Sequence, residues 1–192
     1  MIAGEPGAVA LLGRKDEGER RASVAVTPFA QVYEAHAASV YRYCLAQLGD
    51  AHAAEDAAAD AFGKAYAAWP SFPGDDADGV RRWIFRIARN AAVDQQRRRR
   101  RRALLLGRLH GNGNGAVDVE TVAALRDELR AALAAVGGLG RRDRELVGLR
   151  CAAGLSYAEI AGLVGTSEDA ARTATHRALL KVRAALRTED GR

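Results

Sequence analysis

Residues 80–102 read VRRWIFRIARNAAVDQQRRRRRR and concentrate the most distinctive chemistry of the chain. Val80, Trp83, Ile84, Ile87, Ala88 and Ala91 recur at helical spacing and mark one apolar face. Arg82, Arg86 and Arg89 fall on another face, and six consecutive arginines follow. From Arg81 to Arg102 there are ten arginines and one acid, Asp94, a local charge of +9 in a chain whose total is +5. A helix that docks by one side and carries guanidinium groups on the other suits a polyanion. Nucleic acid is the first candidate, because phosphates spaced along a strand engage many arginines at once. Such contacts position a ligand without reading its sequence.

A second constellation supplies what the first lacks. Ser156 and Glu159 form an S-x-x-E capping box that starts a helix at Tyr157, and Gly165 stops it after two turns. Thr166 and Asp169 give a second start signal for a longer basic helix reaching about Leu186. Helix, short turn and longer helix predict a helix-turn-helix, with residues 167–186 as the recognition helix. Arg172 and His176 share one face of it, and Thr173, Arg177 and Lys181 share the adjacent one. An arginine there reads guanine through paired bonds to O6 and N7, each good pair discriminating by about 1–3 kcal/mol.

Catalysis is not expected. The four histidines are scattered, and neither cysteine lies at metal-ligand spacing from another ligand. No phosphate-binding glycine loop and no serine or cysteine nucleophile motif occurs, so neither metal nor cofactor is expected. His52 and Asp56, one turn apart, read as a surface pair. Cys44 and Cys151 read as small buried hydrophobes in a reducing compartment rather than as a disulfide. Trp69, Phe72, Trp83 and Phe85 have rings able to stack on unpaired bases. Helical spacing nevertheless assigns Trp69 and Trp83 to a core.

The elements that must hold these groups are helical throughout: alanine and arginine dominate, and only four prolines occur. One helix is predicted from Phe29, with Val32, Tyr33, His36, Val40, Cys44 and Leu48 inward, ended by Gly49 and Asp50. A second spans about 51–69 with Ala58, Phe62, Ala65, Tyr66 and Trp69 inward. A turn-rich loop, PSFPGDDADG, precedes the basic helix. Ten of the eleven aromatics lie between Phe29 and Phe85, enough for a three-helix core. The expected fold is therefore all-α, two small helical domains at about 27–102 and 118–187. A Gly/Asn-rich linker at 103–117 joins them, and tails occupy 1–26 and 188–192. The second domain opens with a helix marked by Val122, Leu125, Leu129, Leu133 and Val136. A shorter helix from about Arg142 to Ala153 follows, with Gly154 as its cap. No run is long enough to span a bilayer, and the Ala8–Leu12 patch lacks a basic stretch before it. A cytoplasmic protein is expected, without membrane insertion.

Together these segments resemble a bacterial extracytoplasmic-function sigma factor, the minimal promoter-recognition subunit of RNA polymerase. VYRYCLAQLGDAHAAEDAAADAFGKAYAAW and RRWIFRIARNAAVDQQRRRR are similar to the family's region 2, and RDRELVGLRCAAGLSYAEIAGLVGTSEDAARTATHRALLKVR to its region 4. The resemblance implies three surfaces. Glu55, Asp56, Asp60, Phe62 and Lys64 would dock on the clamp coiled coil of core RNA polymerase, which explains an acidic stretch in a basic protein. Residues 71–79 and the basic helix would capture the −10 element through Arg82, Arg86, Arg89, Asn90, Asp94, Arg97 and Arg98. Arg172, Thr173, His176, Arg177 and Lys181 would read the −35 element of promoter DNA as duplex. An anti-sigma factor is a further partner consistent with the resemblance.

The chain departs from the family pattern in three places. Ala174 stands where arginine is frequent, Ala59-Asp60 where Gln-Glu is common, and Gly137 to Gly140 where a Leu-Pro bend is usual. The last departure predicts a looser lead into the second domain. The residues also fit a stand-alone helix-turn-helix regulator with a helical sensing domain, or an RNA-binding adaptor using the arginine run.

Overall fold

A computed structural model of the chain describes residues 29–72, 76–106 and 127–189, and these are helical apart from their connections. The predicted N-terminal tail, most of the linker, and Val122 and Leu125 lie outside the described residues. Helices α1 (Phe29–Leu48), α2 (Ala51–Ala68) and α3 (Ala77–Leu106) form the first half. Helices α4 (Asp127–Gly137), α5 (Arg141–Cys151), α6 (Tyr157–Val164) and α7 (Glu168–Glu189) form the second. A single 3-10 turn, Trp69–Ser71, follows α2.

The first three helices pack through unequal partners. Asp50 caps α2 by accepting from the Ala53 N–H at 2.8 Å. The inner stripe of α2 is Ala54, Ala57, Ala61 and Ala65, so α1 and α3 approach a nearly bare helix. Bulk comes from the neighbours: Val40, Tyr43, Cys44, Leu45 and Leu48 on α1, and Ile84 and Phe85 on α3. The Cys44 thiol has its pKa pushed up to about 12 by burial, as an inert core residue should.

Several expected inward positions lie elsewhere. Tyr33 and Tyr66 are exposed, at 51% and 68%. Both rings lean on the flank of Phe29 or Phe62 rather than entering the core. Tyr43 is the buried tyrosine of α1, and its ring meets Phe85 edge-on at 5.9 Å. Cys151, expected inside, is the last residue of α5 and is exposed, while Ala153 and Leu155 just after it are buried. His52 faces Glu55 at 3.8 Å rather than Asp56. The basic helix does not stop at Arg102 but continues to Leu106.

The second half is joined to the first by packing as well as by chain. Leu146, Leu149, Leu155 and Ile160 belong to the same continuous core as Tyr43 and Phe85. Gly148 of α5 is buried against Tyr43 and Gln47 of α1. The Gln47 side chain donates to the Arg144 carbonyl at 3.1 Å, and Arg144 returns a bond to the Gln47 carbonyl at 3.3 Å. Arg144 also donates to the carbonyls of Gly137 and Leu139, at 2.6 and 2.9 Å. That guanidinium ties down the glycine-rich bend that the sequence leaves unsupported.

Thr175 is fully buried on α7, and its hydroxyl has no hydrogen-bond partner among the described residues. A buried hydroxyl without a partner costs about 1–3 kcal/mol, and valine has the same shape without it. Thr175→Val should therefore raise unfolding stability by about 1 kcal/mol, read as a higher denaturant midpoint with an unchanged slope.

Candidate nucleic-acid interface

Helix α3 presents its polar groups opposite its core. Ile84, Phe85, Ala88, Ala91 and Ala92 are buried, and at 3.6 residues per turn Arg82, Arg86, Asn90 and Arg97 fall on the far side, with Arg89 on the flank next to Phe85. Arg86, Asn90, Arg97 and Arg98 are exposed. Asp94 lies 3.9 Å from Arg97 of this group. It turns toward α2, 3.9 Å from Lys64, whose ammonium is held at 2.8 Å by Asp60. Arg98 sits on another flank of the helix, and Arg99 is tied to Asp50 at 3.0 Å. The helix thus carries one guanidinium face rather than a uniform charge.

Part of that face is covered by the second half. Arg89 forms a close ion pair with Glu145 of α5, both largely withdrawn from solvent. Glu159 of α6 lies 3.5 Å from both Arg81 and Arg82. Burial alone would raise the Glu159 pKa, but its bonds from Ser156 and the Arg81 guanidinium outweigh that and hold it below the usual carboxylate range.

The aromatic rings beside this face form a stack. Trp69 and Phe72 lie parallel, 5.3 Å apart, and Phe72 is 4.8 Å from Trp83. All three are half-buried. Phe85, grouped with them in sequence, is wholly inside.

The helix-turn-helix is built as its capping signals require. The Ser156 hydroxyl accepts from Glu159 N–H at 3.2 Å, and the Glu159 carboxylate accepts from Ser156 N–H at 2.7 Å. Gly165 closes α6 at φ 72°, a left-handed conformation that glycine adopts without a Cβ penalty. The cap of α7 is Ser167, not Thr166: its hydroxyl accepts from Ala170 N–H at 3.3 Å. Ala171, Thr175 and Ala178 face inward, which turns Arg172, Thr173, His176, Arg177 and Lys181 outward. Arg172 is paired with Glu168 at 2.6 Å. Lys181 reaches back to Asp143 of α5, also at 2.6 Å, whereas Thr173, His176 and Arg177 face solvent.

On α2, Glu55, Asp56 and Lys64 are exposed and Asp60 is half-buried. Phe62 is buried beneath Phe29 and Tyr33, so it supports this surface from below. Among the described residues no group of three or more histidine, cysteine or acidic side chains could hold a metal ion. No helix among them is long and apolar enough to cross a membrane.

Comparison with known proteins matches both halves. Residues 32–102 match the family model for sigma-70 region 2, and residues 129–182 that for sigma-70 region 4. The ECF RNA polymerase sigma factor SigL of Mycobacterium tuberculosis is 31% identical over 156 residues, 81% of this chain and 86% of that protein. BldN of Streptomyces coelicolor, another ECF RNA polymerase sigma factor, is 30% identical over 91% of this chain and 66% of its own length. The fold is similar to that of the sigma factor RpoE from Bartonella quintana, solved in complex with the anti-sigma factor NepR. The TM-score is 0.63 at 24% identity, over 83% of this chain and 96% of that one. It is also similar to CnrH in complex with the cytosolic domain of CnrY, with a TM-score of 0.58 at 24% identity, over 83% and 88% of the two chains. Regions 2 and 4 in order, with that identity along most of a relative's length, place this chain among the ECF sigma factors, the non-enzymatic subunits that direct RNA polymerase to promoters.

Proposed function

We propose that the two promoter elements and the polymerase are divided among α3, α7 and α2. The exposed arginines and Asn90 of α3, with the Trp69–Phe72–Trp83 stack beside them, take the strand-separated −10 element. Arg172, Thr173, His176 and Arg177 enter the major groove of the −35 duplex, and Lys181 contributes once released from Asp143. The acidic surface of α2, at Glu55, Asp56 and Asp60, meets the polymerase clamp. The observation that carries this reading is that α3 and α7 each turn a polar face directly away from their cores, while the acids of α2 lie on a third surface.

Each half alone needs only modest affinity for DNA, because attachment to polymerase supplies the effective concentration. Arg82 and Arg89 are held by acids of the second half, so promoter engagement through them requires Glu145 and Glu159 to give way. Action on polymerase places the protein in the cytoplasm. RpoE of Bartonella quintana has been seen with an anti-sigma factor, and a partner of that kind is part of the proposal here.

Reconstitution with core polymerase tests the division. Arg172→Ala should lower transcription from −35-dependent promoters by roughly tenfold or more while core affinity is unchanged. Asp56→Ala should weaken core binding and leave the promoter preference of the assembled enzyme intact. Equal loss of core affinity in both variants would refute the assignment.

A further inference from the structure

We infer that Tyr157 is a positioning residue for Arg172, holding its guanidinium at the start of the recognition helix in the attitude needed to read a base. The inference rests on the proposal that Arg172 reads the −35 element.

The ring is fixed before Arg172 uses it. Tyr157 is the first residue of α6, directly after Ser156, whose capping box sets the local backbone. The ring is partly buried against the main core. Two guanidinium groups lie on it: that of Arg150 at 4.8 Å from the ring centroid and that of Arg172 at 5.5 Å. Arg150 is itself anchored, donating to the Leu155 carbonyl at 2.7 Å. The end of α5, the start of α6 and the second turn of α7 are thus joined by one arginine–tyrosine–arginine ladder. These are the three elements whose mutual placement sets the angle of the recognition helix.

The second support of Arg172 is of a different kind. Glu168 accepts from its guanidinium at 2.6 Å, and both side chains are about half exposed. That ion pair engages one guanidinium nitrogen and places a carboxylate beside the edge that a guanine would meet. Contact with an aromatic ring uses the face of the guanidinium and leaves its edge N–H groups available. Glu168 therefore acts as a placeholder that DNA displaces, whereas Tyr157 can keep its contact while the arginine edge reads a base. A long side chain held in this way has less freedom to lose on binding.

The test uses the full chain bound to core polymerase, on promoters selected by the wild-type holoenzyme from a randomised −35 library. The readout is the ratio of transcription from a selected promoter to that from one with the −35 guanines replaced. Tyr157→Leu removes the ring and should reduce this ratio by about three- to thirtyfold, the range of one cation–aromatic contact. Tyr157→Phe keeps the ring and should hold the ratio within about twofold of wild type. Loss of activity on both promoters alike, with the ratio preserved, would show a merely structural role and overturn the inference. If Arg172→Ala loses discrimination but Tyr157→Leu keeps it, the inference falls and the assignment of Arg172 stands. If Arg172→Ala itself keeps discrimination, that assignment fails and takes the inference with it.

Discussion

Gly148→Leu is expected to drive the two halves of the protein apart. A Cβ at this position would lie 2.6 Å from the Gln47 side-chain nitrogen and 3.0 Å from the Tyr43 ring. Neither neighbour is free to yield. Gln47 is buried and bonded to the Arg144 carbonyl, and Tyr43 is wedged against Phe85. Forcing extra methylenes into such a site costs about 1–3 kcal/mol, and leucine adds a branched side chain beyond the first carbon. The seam between α1 and α5 should give way first, because α1, α2 and α3 retain their own contacts without it. Small-angle scattering should show a larger radius of gyration, and Arg89, released from Glu145, should raise salt-sensitive binding of the free protein to forked −10 DNA. An unchanged radius would refute the packing argument. Gly148→Ala offers a graded comparison, since its helix-propensity gain of about 1 kcal/mol opposes the clash.

Phe85→Ala is expected to cost about 3–5 kcal/mol of folding stability. Its side chain is fully buried at the junction of α1 and α3, where it meets Tyr43 edge-on. The inner stripe of α2 is alanine, whose short side chains cannot swing in to fill a void. That loss is a large share of the 5–15 kcal/mol that domains of this kind possess. Urea titration should show a much lower midpoint, and a loss below about 1 kcal/mol would mean that the site collapses on itself. The result would also separate Phe85 from Trp69, Phe72 and Trp83, whose replacement should act on DNA capture more than on folding.

The helices and their caps are legible in the sequence because their signals are local. Ser156 and Glu159 satisfy each other within four residues, and Gly165 needs only its own backbone to end α6. The outward face of α7 follows equally from helical spacing once Ala171, Thr175 and Ala178 are inside. The cap of α7 is harder, since Thr166 and Ser167 are both suitable residues and only backbone geometry selects Ser167. Of the two tyrosines expected inward, Tyr66 sits at the margin of the α2 stripe, and Tyr33 lies in the second turn of α1, near the helix end. Periodicity cannot separate the margin from the centre when a small-residue helix such as α2 lets its neighbours come close.

Residues that depend on contact between the halves carry no such local signal. Tyr43 and Gln47 fall on the same face as Phe29, Val32, Val40 and Cys44, but nothing local marks a glutamine for burial, and α5 packs there through Gly148. Arg89 and Glu145 are 56 positions apart, and nothing in either neighbourhood indicates that they pair. The amino-acid order by itself determined an all-helical chain, its capped turns, a guanidinium face on one helix and an outward polar face on another. Those properties arise from interactions within a few residues along the chain. The docking of the two halves, the covering of Arg82 and Arg89 by acids, and the ladder through Tyr157 came only with the folded arrangement. They depend on the close approach of surfaces distant in sequence, where a missing side chain at Gly148 matters as much as any side chain present.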